Sequence, residues 1–461
     1  MSGNSSVSSR REFLKNTGRI AVASAVAGAA VPRVHAAENN TIQVALIGCG
    51  GRGTGAAADA LSVKQGPMRL VAMADVFEDR LAGSFQQLSQ RFADKVDVPE
   101  DRRFVGFDGC RKAMDCLKPG DIAIFATPPA FRWVHFAYAV QKGLHVFMEK
   151  PVTVDGATSR RMLELADDSV AKNLKVGVGL MSRHSRALQE LHDRIQEGEI
   201  GDLVMMRGYR MHGPIGSAFS EKWPGQPSEL LWQIRRFHSF IWASGGCFSD
   251  FYIHIIDHCC WMKNAWPVKA QALGGRHYRT SPQGNPWVDQ NFDAYSVEYT
   301  FADGTKFIMD GRCMPGCDNI YSSYAHGSKG SAVVSKSGDC GGPSSTYKAQ
   351  SPDGASKIWE SKVPRDQANP YQNEWNDLVD AIRNDKPYNE ARRGVEASLV
   401  TSLGRKAAHT GVEITYEQML NSEEYAPGLD KLTMDSPAPL PAGPDGKYPV
   451  PMPGINTKTE Y

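Results

Sequence analysis

A chain of 461 residues has room for two or three domains of ordinary size. Its 41% hydrophobic and 22% charged residues, with a net charge of +1, are those of a globular protein and offer no basic surface for nucleic acid. The nine cysteines are odd in number and no CxxC pairs with a second, so neither a disulfide framework nor a structural zinc site is expected.

In chain order, the first feature is the stretch Ser9 to Lys15, SRREFLK. Two adjacent arginines followed by an apolar run read as a twin-arginine export signal over residues 1–37, cleaved after Val34-His35-Ala36. The run Ile20 to Ala30 is too short to cross a bilayer, which takes about 20 apolar residues. The expected location is periplasmic or otherwise extracytoplasmic, with no stable membrane insertion once the signal is gone.

Thr41 to Ile47 is a short β-branched run that stops at the glycines of GCGGRG, and Thr54 to Ser62 is helix-compatible. Further strands are expected at Arg69 to Ala74, ending at Asp75; at Asp121 to Ala126, ending at Thr127-Pro128-Pro129; and at Leu144 to Met148, ending at Glu149-Lys150-Pro151. Helical stretches intervene at Phe131 to Lys142 and Asp155 to Ala171. Strands that are apolar throughout and alternate with helices predict a parallel sheet covered on both faces, a doubly wound α/β domain over residues 40–180. From Val204 the texture changes to strands joined by turns, with Asp303-Gly304 a hairpin signal, so residues 181–425 are expected to form an α+β domain. Helices at Glu374 to Ile382 and Gly394 to Thr410 are expected to pack back on the first domain. The tail, residues 426–461, is rich in proline and glycine from Ser436 onward. Two expectations stand for it, an extended arm on a neighbour and a loose tail.

Gly48-Cys49-Gly50-Gly51-Arg52-Gly53 is a G-x-G-x-x-G between a strand and a helix, the context that gives this pattern meaning. The first glycine permits the turn, the second lets a pyrophosphate approach the backbone, and the third lets the helix sit close to the sheet. Asp75, at the end of the second strand, is placed to accept hydrogen bonds from an adenosine ribose and to repel a 2′-phosphate. That favours NAD, and Arg80 nearby keeps NADP open. Lys150 ends the strand expected beside the nicotinamide, where an open parallel sheet binds its ligands. Farther on, GGCFSDFYIHIID places Asp250 and His254 four apart, on one face of a helix. A histidine of ordinary pKa exchanges a proton near neutrality, and a carboxylate one turn away can orient it.

GCGGRG, Asp75, MEKP and GG-x-x-x-D-x-x-x-H-x-x-D, in this order, resemble the Gfo/Idh/MocA family, of the glucose–fructose oxidoreductase and inositol dehydrogenase type. The resemblance covers roughly residues 40–415. It implies a Rossmann domain followed by an α+β domain on a large, mainly antiparallel open sheet. It further implies NAD(P) and oxidation or reduction of a secondary alcohol of a sugar or cyclitol. By motif, Lys150, Asp250 and His254 would be the catalytic trio, with His254 the proton acceptor, Lys150 positioning the hydroxyl and Asp250 supporting both. Gly48, Gly50, Gly51, Arg52, Gly53, Asp75, Thr127, Pro128, Glu149 and Lys150 would hold the cofactor. The open sheet implies a homo-oligomer. Two departures stand out. Arg132 occupies the position where the family commonly has a histidine, and Tyr252 replaces a small residue between the catalytic aspartate and histidine.

An exported chain could not readily exchange NAD outside the cytoplasm, so the nucleotide is expected to stay bound. A dehydrogenase or paired oxidoreductase is the leading expectation. A redox-neutral lyase or glycosidase is second, although the glycosidase branch's histidine-glycine motif is missing, and a non-catalytic carbohydrate-binding relative is third. Asp257-His258-Cys259-Cys260 points round a helix instead of converging, so no metal is expected. Arg183 and Tyr252 are candidate substrate contacts, as is Trp223 among the tryptophans Trp223, Trp232 and Trp242 that could stack on a sugar face.

Overall fold

The computed structural model describes residues 40–336, 338 and 343–461. The export signal read at residues 1–37 lies outside them. Among the described residues no helix is long and apolar enough to cross a membrane.

The N-terminal domain is built on six parallel strands: β1 (Ile42–Ile47), β2 (Met68–Asp75), β3 (Arg103–Val105), β4 (Ile122–Phe125), β5 (His145–Met148) and β6 (Val176–Val178), in the order β3-β2-β1-β4-β5-β6. β4 and β5 are buried at every residue and β1 at all but Gln43, because helices cover both faces. The strand order reverses between β1 and β4, which opens a crevice at their carboxyl ends. β3, three residues long and half-exposed at the edge, has no apolar run to announce it.

The C-terminal domain holds a nine-stranded sheet: β7 (Leu203–His212), β8 (Lys269–Gly275), β9 (Ala294–Thr300), β10 (Lys306–Cys313), β11 (Ile320–Gly327), β12 (Ser331–Ser335), β13 (Ser345–Tyr347), β14 (Lys357–Glu360) and β15 (Ile414–Thr415). Only β7 and β10 run parallel; the other pairings are antiparallel. β9 and β10 alternate strictly, with Tyr295, Val297, Tyr299, Phe307, Met309 and Cys313 buried and Glu298, Lys306 and Asp310 on the opposite face. That alternation is the signature of a sheet packed on one side only. β8 ends at Gly275, where Arg276 turns in to pair with Asp289 and the Asp293 carboxylate accepts from the His277 and Tyr278 N–H groups.

Five helices position the site. α1 (Gly51–Leu61) follows β1 and α2 (Arg132–Lys142) follows β4. α3 (Gly246–Lys263), α4 (Pro370–Arg383) and α5 (Ala391–Thr410) belong to the second half of the chain. α3 is buried from Gly246 to Cys260, as befits a helix apolar nearly all round, and packs on the large sheet beside α5. α4 packs on α1 and β6, joining the two halves.

The tail is not loose, since it packs along its own chain. Tyr448 stacks on Trp232 and donates to Glu229 at 2.6 Å. Gln233 and Gln290 donate to the Leu440 and Pro449 carbonyls. Glu460 is buried against Arg405 (2.9 Å) and His409 (3.1 Å). A proline-rich segment forms no ladder, but its free carbonyls and scattered aromatic groups can still be taken up by side chains.

Candidate active site

The carboxyl ends of β1, β2, β4 and β5 open into a cavity of about 730 Å³. Gly48, at φ +95°, makes the turn out of β1; a Cβ there would lie 2.6 Å from the Ala126 carbonyl carbon. A Cβ on Gly53 would lie 1.9 Å from the Gly48 oxygen, so glycine is what lets α1 come this close. Gly50 and Gly51 differ, because a Cβ on either would meet nothing of the protein within 4 Å. Gly50 caps α1 with no side chain, so the first N–H groups of the helix are left for a ligand. Asp75 accepts from the Cys49 N–H at 2.6 Å and the Phe77 N–H at 2.9 Å, which fixes its carboxylate at the cavity edge. Burial pushes that carboxyl up and the two N–H groups oppose the shift. Arg52 pairs with Glu149 at 2.5 Å and lies over the Tyr371 ring. An open glycine cradle at a helix N-terminus, with a carboxylate on the neighbouring strand end, fits a dinucleotide: pyrophosphate on Gly50 and Gly51, ribose hydroxyls on Asp75.

The other end of the cavity draws on both domains. Lys150, at the end of β5, donates from Nζ to the Asp250 carbonyl at 2.7 Å and stands 3.6 Å from the Asp250 carboxylate. Asp250 and His254 occupy successive turns of α3, and both line the cavity. The Asp250 carboxylate also lies 3.3 Å from Nε2 of His238. Burial alone would raise the Asp250 carboxyl, but Lys150, His238 and His254 around it hold it well below the usual range, so it is a carboxylate at working pH. Thr127 and Pro128 line the same space between the two ends.

Not every residue singled out in the sequence reaches the cavity. Arg183 forms a two-oxygen ion pair with Asp257, at 2.8 and 2.9 Å, and faces a separate cleft with His184. Trp223 is tied to the Pro227 carbonyl on the surface. Tyr252 points to the opposite side of α3, its ring against Gly311 and among Phe248 and Tyr295, because the residue two after Asp250 lies on the other face of the helix. The donors once considered for a metal are otherwise engaged, Asp257 by Arg183 and His258 by Ser323 at 2.8 Å.

The cavity residues not picked out as site residues include three basic side chains. His238 belongs to a stretch without helical or strand periodicity, so nothing in its neighbourhood announced it. Arg210 lies mid-strand on β7. His135, one turn past Arg132, lies 3.2 Å from the Thr127 hydroxyl and is pushed down to about 3 by burial and then by Arg132. Arg132, singled out only as a departure from the family pattern, is 1% exposed and bonded to the Thr127 carbonyl; burial lowers it to about 10 against the pull of Glu149 and Asp250.

Residues 42–180 match the profile of the Gfo/Idh/MocA oxidoreductase family, NAD-binding Rossmann fold. Inositol 2-dehydrogenase of Corynebacterium glutamicum is 29% identical over 101 residues, 22% of this chain and 29% of that protein. Levoglucosan dehydrogenase of Pseudarthrobacter phenanthrenivorans is 27% identical over 214 residues, 42% of this chain and 50% of that one. These matches thus span half or less of the relatives' lengths. The solved structure of a levoglucosan dehydrogenase in complex with NADH and levoglucosan superposes with a TM-score of 0.62 at 18% identity, covering 82% of this chain and all of that one, a likeness of fold. Over residues 42–180 the chain is therefore similar to the NAD-binding Rossmann domain of the Gfo/Idh/MocA oxidoreductases.

Proposed function

We propose that the protein is an NAD-dependent dehydrogenase acting on a secondary alcohol of a sugar, sugar derivative or cyclitol. The observation that carries this reading is the convergence of Lys150 with Asp250 and His254, from two domains, on the cavity that begins at the glycine cradle. The names of the relatives, which act on inositol and levoglucosan, support a polyhydroxylated ring as substrate. NAD, once bound, would supply the hydride acceptor for oxidation of the alcohol to a ketone, and His254 is the residue placed to take the hydroxyl proton. Lys150, anchored by the Asp250 carbonyl, keeps further N–H donors for the reacting hydroxyl. Asp250, fixed as an anion by Lys150 and His238, steadies Lys150 and the charge that develops on His254.

The test incubates purified protein with a panel of sugars and cyclitols and follows the near-ultraviolet absorbance of reduced nicotinamide. Net reduction is expected, with a loss of about 10²–10⁴ in kcat for His254→Ala and Lys150→Ala, and NADH binding that persists in His254→Ala. Product without net reduction would replace this reading with a redox-neutral lyase or glycosidase. Binding without any product would leave a carbohydrate-binding protein.

The SRREFLK stretch supports a cofactor loaded before twin-arginine export and retained outside the cytoplasm. Mass spectrometry of the denatured purified protein should find a nicotinamide nucleotide, and its absence would end the retention reading. The outward face of the nine-stranded sheet is the surface assigned to a homo-oligomer, which light scattering would detect.

A further inference from the structure

Most charges along the cavity are answered by a neighbour. Arg52 pairs with Glu149 and Lys150 with Asp250, and Arg80 lies under the influence of Asp75 and Asp79 at the adenosine end. Arg132 and Arg210 remain, the first within the influence of Glu149 and Asp250 but paired with neither. Arg132 is buried, spends its hydrogen bonds on Thr127, and its Nε has no partner. Arg210 projects from β7 on the side of Gly208, whose backbone touches Ile255 of α3, and its guanidinium lies over the Tyr321 ring at 3.7 Å. Its Nε is buried without a partner too, and among the described residues neither arginine forms an ion pair.

A buried guanidinium without a counter-charge is costly, and completing its pairing is correspondingly favourable. Stacking on Tyr321 holds Arg210 flat and leaves its N–H edge free, the geometry that suits the two oxygens of a carboxylate or phosphate. Arg210, His254 and Asp250 line one continuous cavity. A sugar bearing only hydroxyl groups would leave Arg210 without a counter-charge.

We infer that the substrate of the proposed dehydrogenase is an anionic sugar, a sugar acid or a sugar phosphate, whose charged group is held by Arg210 in the added positive field of Arg132. The hydroxyl to be oxidised then lies at Lys150 and His254. This inference rests on the dehydrogenase reading and goes one step past it, from polyol to charged polyol. Its basis is charge balance: among the described residues Arg52 and Lys150 are paired with carboxylates, Arg132 feels Glu149 and Asp250 without pairing with either, and Arg210 has none.

The test uses the holoenzyme and matched substrates: glucose against glucuronate, gluconate and glucose 6-phosphate; galactose against galacturonate; inositol against an inositol monophosphate. At least one charged member should exceed its neutral parent by about tenfold or more in kcat/KM. Acids and phosphates turned over unequally identify which anion is meant. Arg210→Met should erase the preference and Arg210→Lys should keep part of it, with NADH binding as the check that both variants are folded. Neutral sugars oxidised as well as their charged partners, or a preference that survives Arg210→Met, would overturn the inference and leave the dehydrogenase reading standing. If no sugar of either kind reduces NAD, both fall.

Discussion

Around Lys150 and Asp250, single side chains are set by the company they keep. Asp250 is a buried carboxylate whose charge survives because Lys150 and two histidines surround it. His135 shows the opposite outcome. Buried beside Arg132, with Phe125 and Phe131 around its ring, it is held near 3 and stays neutral in the folded protein. The unfolded chain takes up that proton near pH ~6.5, so between about 6.5 and 3 the unfolded state binds more protons and stability falls as the pH is lowered. His135→Phe should therefore flatten the acid limb of stability by up to one proton, about 1.4 kcal/mol per pH unit, between pH ~6 and ~4. Urea unfolding at a series of pH values measures the slope; an unchanged slope would show that His135 titrates normally. Lys150 was legible in the sequence because a lysine at the end of a buried strand has few structural reasons to be there. Arg132 was noticed by position, yet its burial was not, since nothing local indicates that Glu149 and Asp250 lie near enough to influence it.

At the scale of an element, α1 and the turn before it separate two kinds of glycine. Gly53 is required by the protein itself, because its Cβ would overlap the Gly48 oxygen. Gly50 stands in open space, and only a ligand would object to a side chain there. Gly53→Ala should lower stability by several kcal/mol, at the upper end of what overpacking costs. Gly50→Ala should leave stability within about 0.5 kcal/mol while weakening NAD binding by tenfold or more. Thermal unfolding and NADH fluorescence titration on the two variants measure both effects, and a Gly50→Ala protein that binds NADH normally would remove the pyrophosphate from this turn. The parallel strands and this turn were readable because each carries its information locally, in an apolar run and in the spacing of glycines. β3 and the end of β8 were not. The first is too short to have a period, and the second is stopped by Asp289 and Asp293, which lie beyond it in the chain.

For the whole molecule, the unexpected constraint is the carboxyl end of the chain. Arg405 on α5 pairs with Glu460 and also donates to the Ser249 hydroxyl at 2.7 Å and the Val154 carbonyl at 2.8 Å. One guanidinium thus ties the tail, the first turn of the helix carrying Asp250, and the segment that follows Lys150. Glu460→Ala would leave that guanidinium buried without its partner, at a cost of about 3–5 kcal/mol. Denaturant unfolding should show the loss, and a variant as stable as the parent would mean that the tail is not held by this pair.

Read alone, the sequence determined the Rossmann domain, its nucleotide turn, and the residue types that would meet at its mouth, because local periodicity and strand-end chemistry carry that information. Only the tertiary structure decided that Lys150 meets Asp250, that His238 completes their cluster, that Tyr252 and Arg183 face elsewhere, and that the tail closes on Arg405. Each of those depends on which groups from distant parts of the chain share one low-dielectric space, and burial and charge pairing there outweigh any preference written in the local sequence.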